Sequence, residues 1–280
     1  MKDGLAVIDV SEDSKTLDCF LRFCYPSTLA EDPSFENLTD VLSVLATARK
    51  YSLDLIERKV CEALASPKVL ETDPLRCFAI ARNARLKHET ITAARHSLQQ
   101  PLIPSWFAEI ELITASDLLA LLTYHKKCGI AVQASVKNLT WITEHYASEN
   151  GCTWLFGFTG ETGSYGRRNQ CGCGKTNDIT LFPWGSVAPV GWWAIYMRET
   201  FELLMDRPSG NTVRIELDKT IQKVRSASCT TCCNRVNENM TEFVDLFASK
   251  VDEAVASVCT YMPCSRSRTN SDSLIDPART

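Results

Sequence analysis

Two short runs, Cys171-Gly172-Cys173-Gly174 and Cys229-Thr230-Thr231-Cys232-Cys233, decide how this chain is read. They lie in the stretch 152–233, which holds Cys152, Cys171, Cys173, Cys229, Cys232 and Cys233, six of the thirteen cysteines, and has helical sequence on both sides. Glycine permits a tight turn that presents Cys171 and Cys173 together. Cys229 and Cys232 are spaced i, i+3, which places both on one helix face. Four thiolates about 2.3 Å from one ion make a tetrahedral structural zinc site. The predicted ligands are Cys171, Cys173, Cys229 and Cys232, with Cys152 and Cys233 as reserves. Four sulfurs close the coordination sphere, so the site is a staple and not a catalyst. The plainer alternative is buried, unligated thiols.

Outward from these pairs, periodicity is lost between Ser148 and Val190, where eight of the twelve glycines fall. A loop of about forty residues needs something to hold it. Beyond it, Trp192, Trp193, Tyr196, Leu203 and Leu204 begin an amphipathic helix. After Pro208-Ser209-Gly210 the apolar positions from Leu217 to Val258 predict a single helix of some forty residues, with Ser228 filling a missing step. That helix is expected to pair antiparallel with an earlier one; an intermolecular coiled coil, making a homo-oligomer, is the rival. From Ser265 the chain is polar and reads as a disordered tail.

Upstream, Ser116 is the expected cap of a helix of about eight turns reaching Tyr146, kinked at Gly129. Asp73-Pro74 starts another helix, a further one runs from Glu89 to Gln100, and Trp106, Phe107, Ile110 and Ile113 form a short apolar segment. His125 reads as a packed core histidine. In the first third, Leu5–Val10 is strand-like. Ser11–Ser14 enters a helix whose face is Leu17, Phe20, Leu21 and Cys24, stopped by Pro26. Asn37 caps a helix with Leu38, Val41, Leu42, Leu45 and Ala48 on one face, and a second helix follows with Leu53, Ile56, Val60, Ala63 and Leu64. So short a link makes a hairpin.

The run Val7–Pro26 followed by Asn37–Leu64, with Ala48-Arg49-Lys50-Tyr51 at its turn, resembles the second half of a BTB/POZ domain. The family's N-terminal strands would precede Gly4, so the expectation is a partial module over 1–66. The helices of 67–148 resemble the extension that follows such domains in many fungal proteins. Residues 150–260 are similar to BTB-like proteins of basidiomycete fungi, in which the first cysteine pair tends to be C-x-x-C where this chain has C-x-C. The resemblance implies protein–protein interaction, and for some relatives self-association or recruitment of cullin-type ubiquitin ligases.

The totals agree with a globular protein. Hydrophobic residues are 45% and charged residues 23%, ordinary for a packed domain. A net charge of -4 and a pI near 5.7 argue against a broad nucleic-acid surface; Arg167, Arg168 and Lys175 beside the loop cysteines are the basis of a zinc-stabilised nucleic-acid or transcription-associated alternative. No run reaches the roughly 18–20 apolar residues of a membrane span, and the N-terminus lacks a signal-peptide core. Reduced thiols in the cytoplasm or nucleus are expected. Gly174-Lys175-Thr176 lacks the first glycine of a phosphate loop, since Asn169 stands there. Thr162–Gly166 lacks the first glycine of a nucleophile elbow. The expected architecture is mainly α: a partial BTB/POZ-like module (1–66), a helical extension (67–148), a cysteine-rich loop with C-terminal long helices (149–264) and a tail (265–280). The expected function is a protein-interaction scaffold or adaptor with structural zinc and no catalysis.

Overall fold

A computed structural model of the chain describes residues 9–25, 38–101, 103, 105–146, 156–158, 179–181, 185–227 and 229–259. The fold is mainly α. The helices are α1 Ser14–Cys24, α2 Thr39–Lys50, α3 Asp54–Leu64, α4 Pro67–Thr72, α5 Pro74–Asn83, α6 Lys87–Ser97, a 3-10 turn Ala108–Leu112, α7 Ala115–Val136, α8 Thr140–His145, α9 Gly191–Asp206, α10 Gly210–Ser226 and α11 Thr230–Cys259. One small sheet joins β1 Phe156–Phe158, β2 Ile179–Leu181 and β3 Gly185–Pro189 in the order β1-β3-β2. Both pairings are antiparallel, and Phe158 and Ile179 lie on either side of Val187. Strands of three to five residues are too short for an alternating pattern to reveal them. Among the described residues no helix is long and apolar enough to cross a membrane.

Asp13 caps α1 by accepting from the Thr16 N–H at 2.8 Å. The buried face of α1 is Thr16, Phe20 and Phe23, whereas Leu21 and Cys24 are exposed. The expected face is thus rotated, because the two phenyl rings take the inner positions. Phe20 meets the Tyr51 ring at 5.9 Å, and the Lys59 ammonium sits over Phe23 at 5.9 Å. The α2–α3 hairpin forms as the spacing predicts, burying Val41, Leu45 and Ala48 on α2 and Ile56, Val60 and Leu64 on α3. Its turn is built by Ser52 at φ 54°, which lets the Leu53 N–H donate to the Ala48 carbonyl at 2.9 Å. α5 ends the same way: Arg85 is at φ 59° and the Leu86 N–H donates to Ala81 at 2.9 Å. Both are left-handed caps of the kind glycine usually fills. Arg49 joins the two turns, pairing with Glu57 at 2.8 Å and donating to the Ala84 carbonyl at 2.9 Å.

Helices α7, α9, α10 and α11 pack on one another, and here two long-helix expectations need correction. α7 is capped by Thr114 and not by Ser116; the Thr114 hydroxyl accepts from the Asp117 N–H, and the Asp117 carboxylate accepts from the Thr114 N–H. α7 ends at Val136 and not at Tyr146. The Asn138 side chain accepts from the Thr140 N–H at 3.2 Å, a local bond that competes with the helix. Leu139 turns left-handed at φ 55°, and the Trp141 indole donates to the Val136 carbonyl at 3.2 Å. The forty-residue helix is likewise two helices, α10 and α11. Ala227 closes α10, and the Cys233 thiol folds back onto the carbonyls of Val224 (3.5 Å) and Arg225 (3.8 Å). The chain reverses there, so α10 and α11 form their own hairpin.

Gly129 is a point of close approach within the continuous helix α7: a Cβ there would lie 2.9 Å from the Met205 carbonyl oxygen of α9. An aromatic cluster holds the bundle, with Trp141 stacked on Phe247 at 5.2 Å and Trp193 edge-on to Phe243 at 5.7 Å. The Asp252 carboxylate near the end of α11 accepts from the Gly210 N–H at the start of α10, at 2.9 Å. Next to it, Asn211 donates to Gln99 at 3.2 Å, which brings the end of α6 alongside.

Candidate functional site

The cysteine site comes first because the sequence singles it out. Cys229 stands just before α11, and its carbonyl accepts the Cys233 N–H at 2.9 Å, as the residue before a first helical turn does. Cys232 is buried in that first turn, and the half-buried Trp192 of α9 donates its indole N–H to the Cys232 sulfur at 3.4 Å. An N–H donor aimed at sulfur is the kind of support that metal-bound thiolates receive. Cys233 is turned to α10 instead, capping its carbonyls. Cys171, Cys173 and the reserve Cys152 lie outside the described residues. Half of the predicted ligand set lies among the described residues: Cys229 just before α11 and Cys232 in its first turn. Among the described residues no disulfide joins Cys229, Cys232 and Cys233. Among the described residues no group of three or more Cys, His, Asp or Glu side chains gathers as a metal cage would. The donor set that is present, two thiols at the head of a helix with an N–H on one sulfur, fits one half of a thiolate zinc site.

Other cysteines behave as core residues. Burial pushes the Cys77 thiol up to about 12 and the Cys61 thiol up to about 11. Such thiols stay protonated and unreactive. His125 is also a core group. It is 4% exposed, its Nε2 lies 2.8 Å from the Asp206 carbonyl at the end of α9, and burial lowers its pKa below the ordinary 6.5.

Two surfaces stand out beyond the cysteines. The first is a set of exposed apolar side chains on and beside α1 and around the α2–α3 turn, Val10, Leu21, Tyr25, Tyr51, Leu53 and Leu55, of which Tyr25 and Leu55 reach 56%. Exposed apolar side chains concentrated on one small module are unusual, whereas single ones are not. The second is a groove of about 420 Å³ between the start of α5 and the extended stretch before the 3-10 turn. Its floor is Arg76, held by the buried Glu109 carboxylate through two hydrogen bonds of 2.8 and 2.7 Å. Asp73 lies 4.0 Å from the same guanidinium. On the rim stands Trp106, 77% exposed, with Ile103 at 83% three residues before it.

Reading the sequence missed this groove. The signal was available in Pro101 and Pro104, which break the helix just before a tryptophan, but Trp106 and Phe107 read as an ordinary apolar segment. A second cavity, of about 280 Å³, lies between the sheet and α9 and is lined by Leu139, Pro189, Trp193, Met197 and Phe201. Neither a protein-family model, nor a curated protein, nor a solved structure matches this chain.

Proposed function

We propose that the chain is a non-catalytic protein-interaction scaffold or adaptor of BTB-like type, with a structural zinc that joins the cysteine-rich stretch to the α10–α11 turn. The observation that carries the interaction reading is the apolar surface of α1 and the α2–α3 turn, on the same residues that carry the sequence resemblance. Leu21, Tyr25 and Leu55 lie uncovered beside a well-packed hairpin. An interface core of aromatic and aliphatic anchors uses such side chains. Zinc would be held by Cys171, Cys173, Cys229 and Cys232, and its contribution would be structural: it fixes a glycine-rich stretch that lacks helical periodicity.

The test is co-purification from native extract of the wild-type chain and of a Leu21→Asp/Leu55→Asp variant. Both positions are exposed, so folding should change by less than about 0.5 kcal/mol each. The reading expects protein partners with the wild type that are lost from the variant while its helical content is kept. Partners retained by the variant would move the interaction away from this face and contradict the reading. The zinc is tested separately by metal content, with about one zinc per reduced chain expected and none in a Cys229→Ser/Cys232→Ser variant. Equal metal in both chains would exclude this pair as ligands.

A further inference from the structure

The outer side of the α7–α9 pair is another exposed face, separate from α1 and the α2–α3 turn. Three contacts fix how the two helices lie. The His125 Nε2 is 2.8 Å from the Asp206 carbonyl, the Met205 carbonyl oxygen is 2.9 Å from where a Gly129 Cβ would be, and the Gln133 amide donates to the Phe201 carbonyl at 2.6 Å. Numbers rise along α7 as they fall along α9, so the helices run antiparallel, and at Gly129 they cross at backbone distance. Beside this crossing two large apolar side chains stay in solvent: Ile130 of α7, 53% exposed, and Met205 of α9, 47% exposed. One exposed aliphatic side chain is ordinary, whereas two on either side of one seam form a patch.

Around this pair the charges are divided by helix. On α7, Lys126 lies one turn before Ile130 with Lys127 beside it, and both are exposed. On α9, Glu202 lies one turn before Met205 and is exposed. None of these three forms an ion pair among the described residues. Arg207, just past α9, is drawn to Asp206 at 3.7 Å. The face thus has a cationic strip on one helix and an anionic group on the other, with apolar side chains between them. Such a surface is complementary to itself. A two-fold axis along the seam lays α7 of one copy over α9 of the other, and every contact is made twice, as an isologous interface requires. An axis across the seam would lay α7 on α7 and set lysines against lysines. Exposed Arg198 and Lys137 stand two turns away at the other end of the seam, and their like charges confine the contact to the half around Gly129.

We propose that the chain forms a homodimer through this face, with α7 of each copy packed on α9 of the other. Ile130 meets Met205 across the two-fold axis, and Lys126 and Lys127 meet Glu202. The apolar pair supplies the buried centre, and the charges at its edge select the orientation. The face lies outside the residues that carry the BTB/POZ resemblance, and this inference does not depend on the function proposed above.

The experiment is sedimentation equilibrium of the full chain in reducing buffer. The wild type is expected at twice the 31.3 kDa of one chain. Ile130→Asp/Met205→Asp should raise the dimer dissociation constant at least about a hundredfold while circular dichroism shows unchanged helical content. Lys126→Glu/Lys127→Glu and Glu202→Lys each set like charges across the contact, and each should weaken the dimer about tenfold or more. Mixing these two charge variants brings opposite charges together again on both sides of the axis. The mixture should recover the dimer as a heterodimer, which no effect confined to one chain can do. A wild type that stays monomeric up to about 100 μM overturns the proposal. So does a dimer left unchanged by Ile130→Asp/Met205→Asp or by the charge variants. A mixture of the charge variants that stays monomeric also overturns it, because α7 of one copy would then not face α9 of the other.

Discussion

Single residues set the closest tolerances in this chain. Gly129 is the sharpest case, because the backbone of α9 passes where its Cβ would be: the Met205 carbonyl oxygen is 2.9 Å from that point. A backbone neighbour cannot swing aside, so Gly129→Ala should separate α7 from α9 and cost about 1–3 kcal/mol in chemical denaturation. Gly210→Ala makes a useful contrast. The atoms nearest its Cβ would be those of the Asp252 carboxylate, a side chain that can rotate away at the loss of one helix cap, about 1 kcal/mol. Arg85 is the opposite case. It occupies a left-handed cap at φ 59° with an exposed side chain, so Arg85→Gly should raise stability by about 0.5–1 kcal/mol. Little of this was legible beforehand. The sequence marks Gly129 as odd in a helix, which suggests a kink, but only the packing of α9 shows that the glycine serves contact. The left-handed caps at Ser52 and Arg85 were invisible because the usual signal, glycine or asparagine, is absent there.

At the level of elements, caps and local bonds decided where helices stop, and apolar spacing did not. Spacing located α2, α3, α5 and α9 because each buries aliphatic or aromatic residues at helical intervals; α6, found at Lys87–Ser97, buries Thr90, Ala93, Ala94 and Ser97 instead. It ran past two breaks. At Asn138–Thr140 a side-chain bond and a left-handed leucine end α7, while Trp141 keeps the apolar phase going into α8. At Ala227–Cys229 the step filled by Ser228 hid a reversal, since α10 and α11 present their apolar stripes to each other. His125 ties two of these elements, α7 and the end of α9, and gives the bundle a pH dependence. Burial holds its pKa below 6.5, so the folded state favours neutral imidazole while the unfolded chain protonates near its ordinary value. Stability from this group is present above about pH 6.5 and falls as pH drops through that value toward the lower folded pKa. Thermal melts between pH 7.5 and 5.5 should show this loss. His125→Gln should flatten the slope while lowering stability at pH 7 by about 1–2 kcal/mol; an unchanged slope would assign the pH dependence to other groups.

For the whole molecule, the mainly α architecture was legible from composition and periodicity, and the three-stranded sheet was not. The candidate site was half legible. Spacing singles out Cys229 and Cys232 as candidates, and the structure places the Trp192 indole on the Cys232 sulfur, a contact no spacing rule would supply. The Trp106 groove depends on the Arg76–Glu109 pair, 33 residues apart in sequence, which a local reading does not bring together. The central claim is that the face formed by α1 and the α2–α3 turn is where another protein docks. Its most direct test is a photo-crosslinking amino acid at Leu55, with the same group at the more exposed Leu119 on α7 as a control, activated in native extract. The account predicts discrete crosslinks to another polypeptide from position 55 and none of the same pattern from position 119. No crosslink from position 55, or the same pattern from both positions, would contradict it.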